Sequence, residues 1–216
     1  MSVQYNMDPF DVLKIIYQGE TDGFVDEDFD KNERERGITV PTLLKKFLKT
    51  YGYMSVNRLS DSVRILHPNI MSERIFSYGG DRELPLTIIG RLGEFQVAFS
   101  DRERDDPEIF LLKTDPSGAQ ILPSDDTISE LFKVMTCGVL LRTSGVVIAD
   151  DPQLAVKLLR ENNVDLDRIT CNPKLRREYS ICFSEEMRTF VAAEFIEGEY
   201  ARFFFARSEN FLIVNE

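Results

Sequence analysis

The residues of this 216-residue chain best suited to nucleophilic or metal chemistry are three cysteines and one histidine. A cysteine nucleophile needs a base and a group that orients the base. His67 would have to serve Cys137, Cys171 or Cys182, all far away in sequence, and nothing local supplies the third member. Cys182 falls in an alternating strand pattern and Cys137 in a helical one beside Gly138, where small thiols are ordinary core filling. Zinc wants paired ligands at two- to four-residue spacing, which scattered Cys and a lone His do not offer. The carboxylates of "ETDGFVDEDFDKNERERG" invite a calcium reading, but an EF-hand loop places its glycine after the leading acids, and Gly23 precedes them. "YGGDRE" at 78–83 lacks the Lys-Ser/Thr that would engage phosphate. The expectation is no catalytic residue, no metal and no cofactor: a protein that is not an enzyme. A hydrolase or transferase with an unrecognised site is a remote alternative.

Charge says more. The net charge of −11 would be repelled by phosphate backbones and anionic membranes, which argues against nucleic-acid and membrane partners. Residues 20–36 hold eight acids and three bases, and residues 101–130 hold nine acids and three bases. The remaining 20 acids and 20 bases balance, so the whole excess sits in two segments. Such segments either keep a protein soluble or dock a basic partner. The docking reading selects Asp101, Glu103, Asp105 and Asp106, with Asp26, Glu27, Asp28 and Asp30 as a second patch.

These groups must be positioned by a core, and 43% hydrophobic residues with 16 Phe can fill one. "DPFDVLKIIYQG" reads as a short amphipathic helix with Asp8 as N-cap, Pro9 at the first position and Phe10, Leu13, Ile16 and Tyr17 on one face. Residues 20–36 are a loop or a solvated helix. "GITVPTLLKKFLKTYGY" at 37–53 is a helix begun by Pro41 and ended by Gly52, with Leu43, Leu44, Phe47, Leu48 and Tyr51 apolar and Lys45, Lys46 and Lys49 on the solvated side. A hairpin follows, Leu86–Ile89 turning at Gly90–Gly93 into alternating Phe95, Val97 and Phe99, and then a strand at Ile109–Leu112. Thr127 with Glu130 makes a capping box ahead of a helix carrying Ile128, Leu131, Phe132, Met135 and Val139. This predicts an antiparallel sheet over 84–122, packed by the 41–51 and 127–141 helices.

Asp151 and Pro152 start another helix with Leu154, Ala155, Leu158 and Leu159 on one face, stopped by Asn162 and Asn163. Residues 179–183, 189–196, 200–207 and 211–214 then read as a four-strand antiparallel meander that extends or abuts the first sheet. The alternating Phe203, Phe204 and Phe205 point to two faces, so that both are covered or one apolar surface is left for a partner.

The order of "VPTLLKKFLKTYGY", "LTIIGRLGEFQVAFSD", "DDPEIFLL", a polar turn and "TISELFKVMTC" resembles the SUKH superfamily, which joins yeast regulators of cell-wall synthesis to bacterial immunity proteins that neutralise polymorphic toxins. The likeness covers about residues 37–141. The family often carries tryptophan near its first helix, and this chain has none. The resemblance implies a SUKH-like domain over 1–144, with 145–216 as a helix and β-meander extension packed on the same core. It further implies a binding protein, most simply an immunity protein facing a basic, nuclease-type toxin domain, or else a regulatory scaffold. The overall expectation is an α+β fold in a cytoplasmic protein with a protein partner, since Asp8 sits where a signal peptide would need an uninterrupted apolar stretch and no apolar run approaches roughly 18 residues.

Overall fold

A computed structural model describes residues 2–16, 23–51, 63–67, 70–78, 82–100, 105–115, 118–142, 145–172 and 177–209. In chain order the elements are β1 (Val3–Gln4), α1 (Pro9–Ile16), α2 (Asp26–Arg36), α3 (Thr42–Tyr51), β2 (Val63–Ile65), β3 (Ser72–Tyr78), β4 (Arg82–Leu92), β5 (Phe95–Phe99), β6 (Glu108–Asp115), β7 (Gly118–Thr127), α4 (Ile128–Arg142), β8 (Val147–Ala149), α5 (Pro152–Glu161), β9 (Arg177–Ser184), β10 (Thr189–Ile196) and β11 (Glu199–Arg207), with a 3-10 turn at Leu166–Arg168. The fold is α+β, and every strand pair among the described residues is antiparallel. The chain divides into two compact units, residues 21–131 and residues 1–20 with 132–216, so residues 132–144 group with the C-terminal segment.

In the unit of residues 21–131 the strands run β2-β4-β5-β6-β7, and β3 pairs with the first half of β4. The predicted hairpin forms, but its turn lies at Gly93 and Glu94, and β4 continues through Gly90 to Leu92. The reason is the third partner of β4. At Gly90 the backbone of β2 comes so close that a Cβ would stand 2.4 Å from the Arg64 carbonyl oxygen. The β4–β5 register also shifts between Ile88 and Gly90, so this glycine marks a bulge and a close backbone approach instead of a turn.

Helix α3 buries Leu44, Phe47, Leu48 and Tyr51, as its spacing requires. Residues 26–36 are helical even though Phe29 is their one buried apolar side chain. Asp26, Glu27 and Asp28 in the first turn and Arg34 and Arg36 in the last match the helix dipole, the Asp28 carboxylate accepts the Val25 N–H at 3.1 Å, and Gly37 closes the helix at φ +65°. Gly52, read as the end of α3, lies outside the described residues, as does Tyr17.

In the other unit the strands run β1-β9-β10-β11-β8. Three strands of the meander form at the expected places, while 211–214 lies outside the described residues. They belong to a hydrogen-bonded sheet of their own and do not extend the first one. The β10–β11 loop is Glu197-Gly198, both at positive φ, which is the type I′ geometry whose twist suits a two-residue hairpin. Helix α5 begins as read, with the Asp151 carboxylate accepting the Leu154 N–H at 3.0 Å, and buries Ala155 and Leu159. Leu154, expected on the apolar face, is exposed. Ala155 and Leu159 join Ala149, Val191, Ala193, Phe195, Phe203 and Phe205 in one apolar cluster, and Phe204 is buried as well.

Gly90→Ala should destabilise the protein by about 1–3 kcal/mol, because the added methyl meets backbone and not a movable side chain. An unchanged denaturant midpoint would show that β2 is not held against β4 at this point.

Candidate functional site

The acids selected from the sequence fall into distinct structural roles. Asp26, Glu27, Asp28 and Asp30 all stand exposed on the first turns of α2. Asp26 pairs with Lys49 at 2.8 Å and Asp28 holds the Val25 N–H, whereas no hydrogen bond or ion pair among the described residues engages the Glu27 or Asp30 carboxylate. Lys45 likewise turns to Glu33, which also accepts the Val40 N–H at 2.7 Å. Lys45 and Lys49, two of the three lysines read as the solvated side of α3, thus tie α2 to α3.

Asp105 and Asp106 part company. Asp105 is exposed, and its carbonyl accepts the Leu43 N–H at 3.4 Å, which sets it beside the start of α3. Asp106 is half-buried and is a capping group: Oδ1 accepts the Ser129 N–H at 2.8 Å and Oδ2 accepts the Thr127 hydroxyl at 3.0 Å. It fills an orphan-donor position at the start of α4 from a distant loop. Asp101 and Glu103 lie outside the described residues.

A buried charged cluster that sequence reading missed lies in the second sheet. Glu194, in the central strand β10, has no exposed surface. Its Oε1 accepts from Arg177 Nε at 2.5 Å and from the Tyr179 hydroxyl at 3.0 Å, and its Oε2 accepts from Arg202 Nε. Glu194 is paired directly with Tyr179 on β9 and Arg202 on β11, so the cluster is a row across three strands. Burial alone would raise the carboxyl, but the hydrogen bonds from Arg202, Tyr179 and Arg177 outweigh it and hold the group below the usual carboxylate range. Burial, followed by the charge of Glu194, pushes the Tyr179 hydroxyl up. A clamped carboxylate is a poor base and an upshifted phenol a poor nucleophile, so the row serves to hold strands together. Nearby, Glu178 accepts the Asn172 N–H and lies 3.5 Å from Lys133 Nζ.

All three cysteines are free thiols. Burial pushes the Cys182 thiol up to about 11, and Cys171, half-buried, contacts the Gly198 carbonyl at 3.7 Å. The His67 ring meets Phe24 edge-on at 4.8 Å. Among the described residues no group of three or more His, Cys, Asp or Glu side chains is placed to hold a metal ion, and no helix is long and apolar enough to cross a membrane. Comparison with known protein families, curated proteins and solved structures finds no match for this chain.

The Glu194 row makes stability depend on pH with a definite sign. Its carboxyl binds a proton less readily folded than unfolded, so its contribution is complete above the unfolded value of about 4.3 and is lost as pH falls through the folded value. Urea titrations should show wild type losing stability below about pH 4 more steeply than Glu194→Gln. Arg202→Ala should cost about 2 kcal/mol at neutral pH, the scale of a hydrogen bond to a charged group. Parallel pH profiles for wild type and Glu194→Gln would sink this account.

Proposed function

We propose that the chain is a non-catalytic binding protein that docks a basic protein partner through its acidic segments, acting inside the cell as an immunity protein that blocks a toxin domain of the nuclease type. The observation that carries the docking is the confinement of the entire net charge to residues 20–36 and 101–130. In the first segment the acids stand on an ordered helix whose Glu27 and Asp30 are not used internally. A nuclease holds phosphates with Lys and Arg, so a rigid carboxylate surface can occupy the same groove and be steered to it at long range. Rigidity lowers the ordering cost of association. The toxin-neutralising role is what the likeness to the SUKH superfamily adds.

Co-purification with mass spectrometry identifies the partner, and association rates then test the surface. Changing Glu27, Asp30, Asp101, Glu103 and Asp105 together to Gln or Asn should slow association about tenfold or more at low salt, with the difference fading as salt rises. Asp106→Ala is the internal control: it should cost about 1 kcal/mol of stability as a capping change and leave association unaltered. Equal rates for the multiple variant and wild type, or binding insensitive to salt, would overturn the electrostatic surface.

The non-catalytic part has its own test. Replacing His67 by Ala and all three cysteines by Ser should leave protection against the partner intact apart from a modest loss of stability. Protection lost in a variant that circular dichroism and thermal melting show to be folded would revive an enzymatic reading.

A further inference from the structure

Glu194 engages only the Nε–H of each arginine that reaches it. The terminal amino groups of Arg177 and Arg202 make no hydrogen bond among the described residues, and the two side chains stay 54% and 39% exposed. Two cations share one anion, so the cluster carries one positive charge more than it neutralises. The exposed Asp150 forms no ion pair with either arginine among the described residues. Residues 168–177 hold four bases and no acid, in a chain whose net charge is −11.

Each guanidinium is fixed twice. Arg177 is held by Oε1 of Glu194 and lies over the Tyr179 ring at 6.0 Å, and Arg202 is held by Oε2 and lies over the Phe204 ring at 5.3 Å. Strands β9 and β11 flank β10, so their backbones stand about 9–10 Å apart, two strand spacings. Both side chains lean inward to one carboxylate on the strand between them, which brings their charged ends closer than that. Like charges so placed repel each other, and a second anion at their free ends relieves the repulsion.

The free groups select the kind of anion. A guanidinium presents a planar fork of donors that matches carboxylate and phosphate. Two forks call for more than the two oxygens of a carboxylate; a phosphate monoester offers three and carries up to two negative charges. Because Glu194 and the rings already hold the arginines in place, little ordering cost is left for binding.

We infer that Arg177 and Arg202 form a clamp for the phosphoryl group of a small phosphate monoester or free phosphate, with Glu194 setting the two arginines and leaving their outer donors to the ligand. The clamp lies in the unit of residues 1–20 and 132–216, and the acidic docking residues lie in the other, so neither reading rests on the other.

The test is titration calorimetry on the whole protein with inorganic phosphate, phenyl phosphate and acetate, at constant ionic strength set with sodium chloride. At least one phosphate should bind saturably below about 10 mM, and acetate at least tenfold more weakly. The tighter of the two phosphates identifies ion or ester as the source. Arg177→Gln, which keeps a donor for Glu194 and removes the fork, should weaken phosphate at least tenfold. Arg177→Lys should weaken it as well, because an ammonium keeps the charge but has no fork. Arg160→Gln, the same charge change at an exposed position on α5, should leave binding unaltered. Thermal melting establishes that each variant is folded. No saturable binding of either phosphate overturns the proposal. So does acetate binding as tightly as phosphate, wild-type affinity in both Arg177 variants, or an equal loss in Arg160→Gln.

Discussion

A carboxylate with no exposed surface in the central strand of a sheet is the constraint on which the unit of residues 1–20 and 132–216 depends. Glu194 is tolerable there because three donors reach it, and they come from both neighbouring strands. The donors exist at the right places only in one register. Moving β10 by one residue would send Glu194 to the face that holds Val191, Ala193 and Phe195, an apolar cluster beneath α5 with nothing to satisfy a charge. The row therefore does more for uniqueness than for net stability, since a hydrophobic replacement of the whole set would often be neutral or better. Both guanidinium groups remain half in solvent, which softens their desolvation and concentrates the cost on the carboxylate.

The unit of residues 21–131 solves a similar problem with backbone. There β4 has strand partners along both halves, and the approach of β2 is possible because residue 90 has no side chain. At the other end of the sheet, Asp106 uses its carboxylate on Ser129 and Thr127. Acids that look alike in the sequence are thus divided by their neighbours: Asp28, Glu33 and Asp106 satisfy backbone N–H groups, Asp26 and Glu33 neutralise lysines, and Glu27 and Asp30 do neither.

That division explains what was legible in the chain. Helices α1, α3 and α5 announce themselves through local signals, Pro at the first position, an Asp cap and apolar spacing, and the structure keeps them. The meander strands are legible because alternation and turn residues are also local. Strands β1 and β8, of two and three residues, are too short to show a period and form only because β9 and β11 offer edges. Gly90 reads as a turn because its reason for being glycine is Arg64, 26 positions earlier in the sequence. Glu194 escapes notice for the same cause: a charge in an alternating strand looks like the solvent face until residues from two other strands are laid beside it.

The directions in which the buried titratable groups are moved show what those groups are spent on. A carboxylate lifted toward neutral pH can act as a base, and a thiol brought down to it as a nucleophile. Here the buried carboxylate is pushed down, and the buried thiol and tyrosine are pushed up. Each shift deepens the resting protonation state at neutral pH and makes the group less reactive. Such shifts mark groups spent on holding strands. The exposed carboxylates of α2 are the counterpart of that interior: one acid is locked away to fix the strands, and the others are left in water, where their field extends beyond the surface.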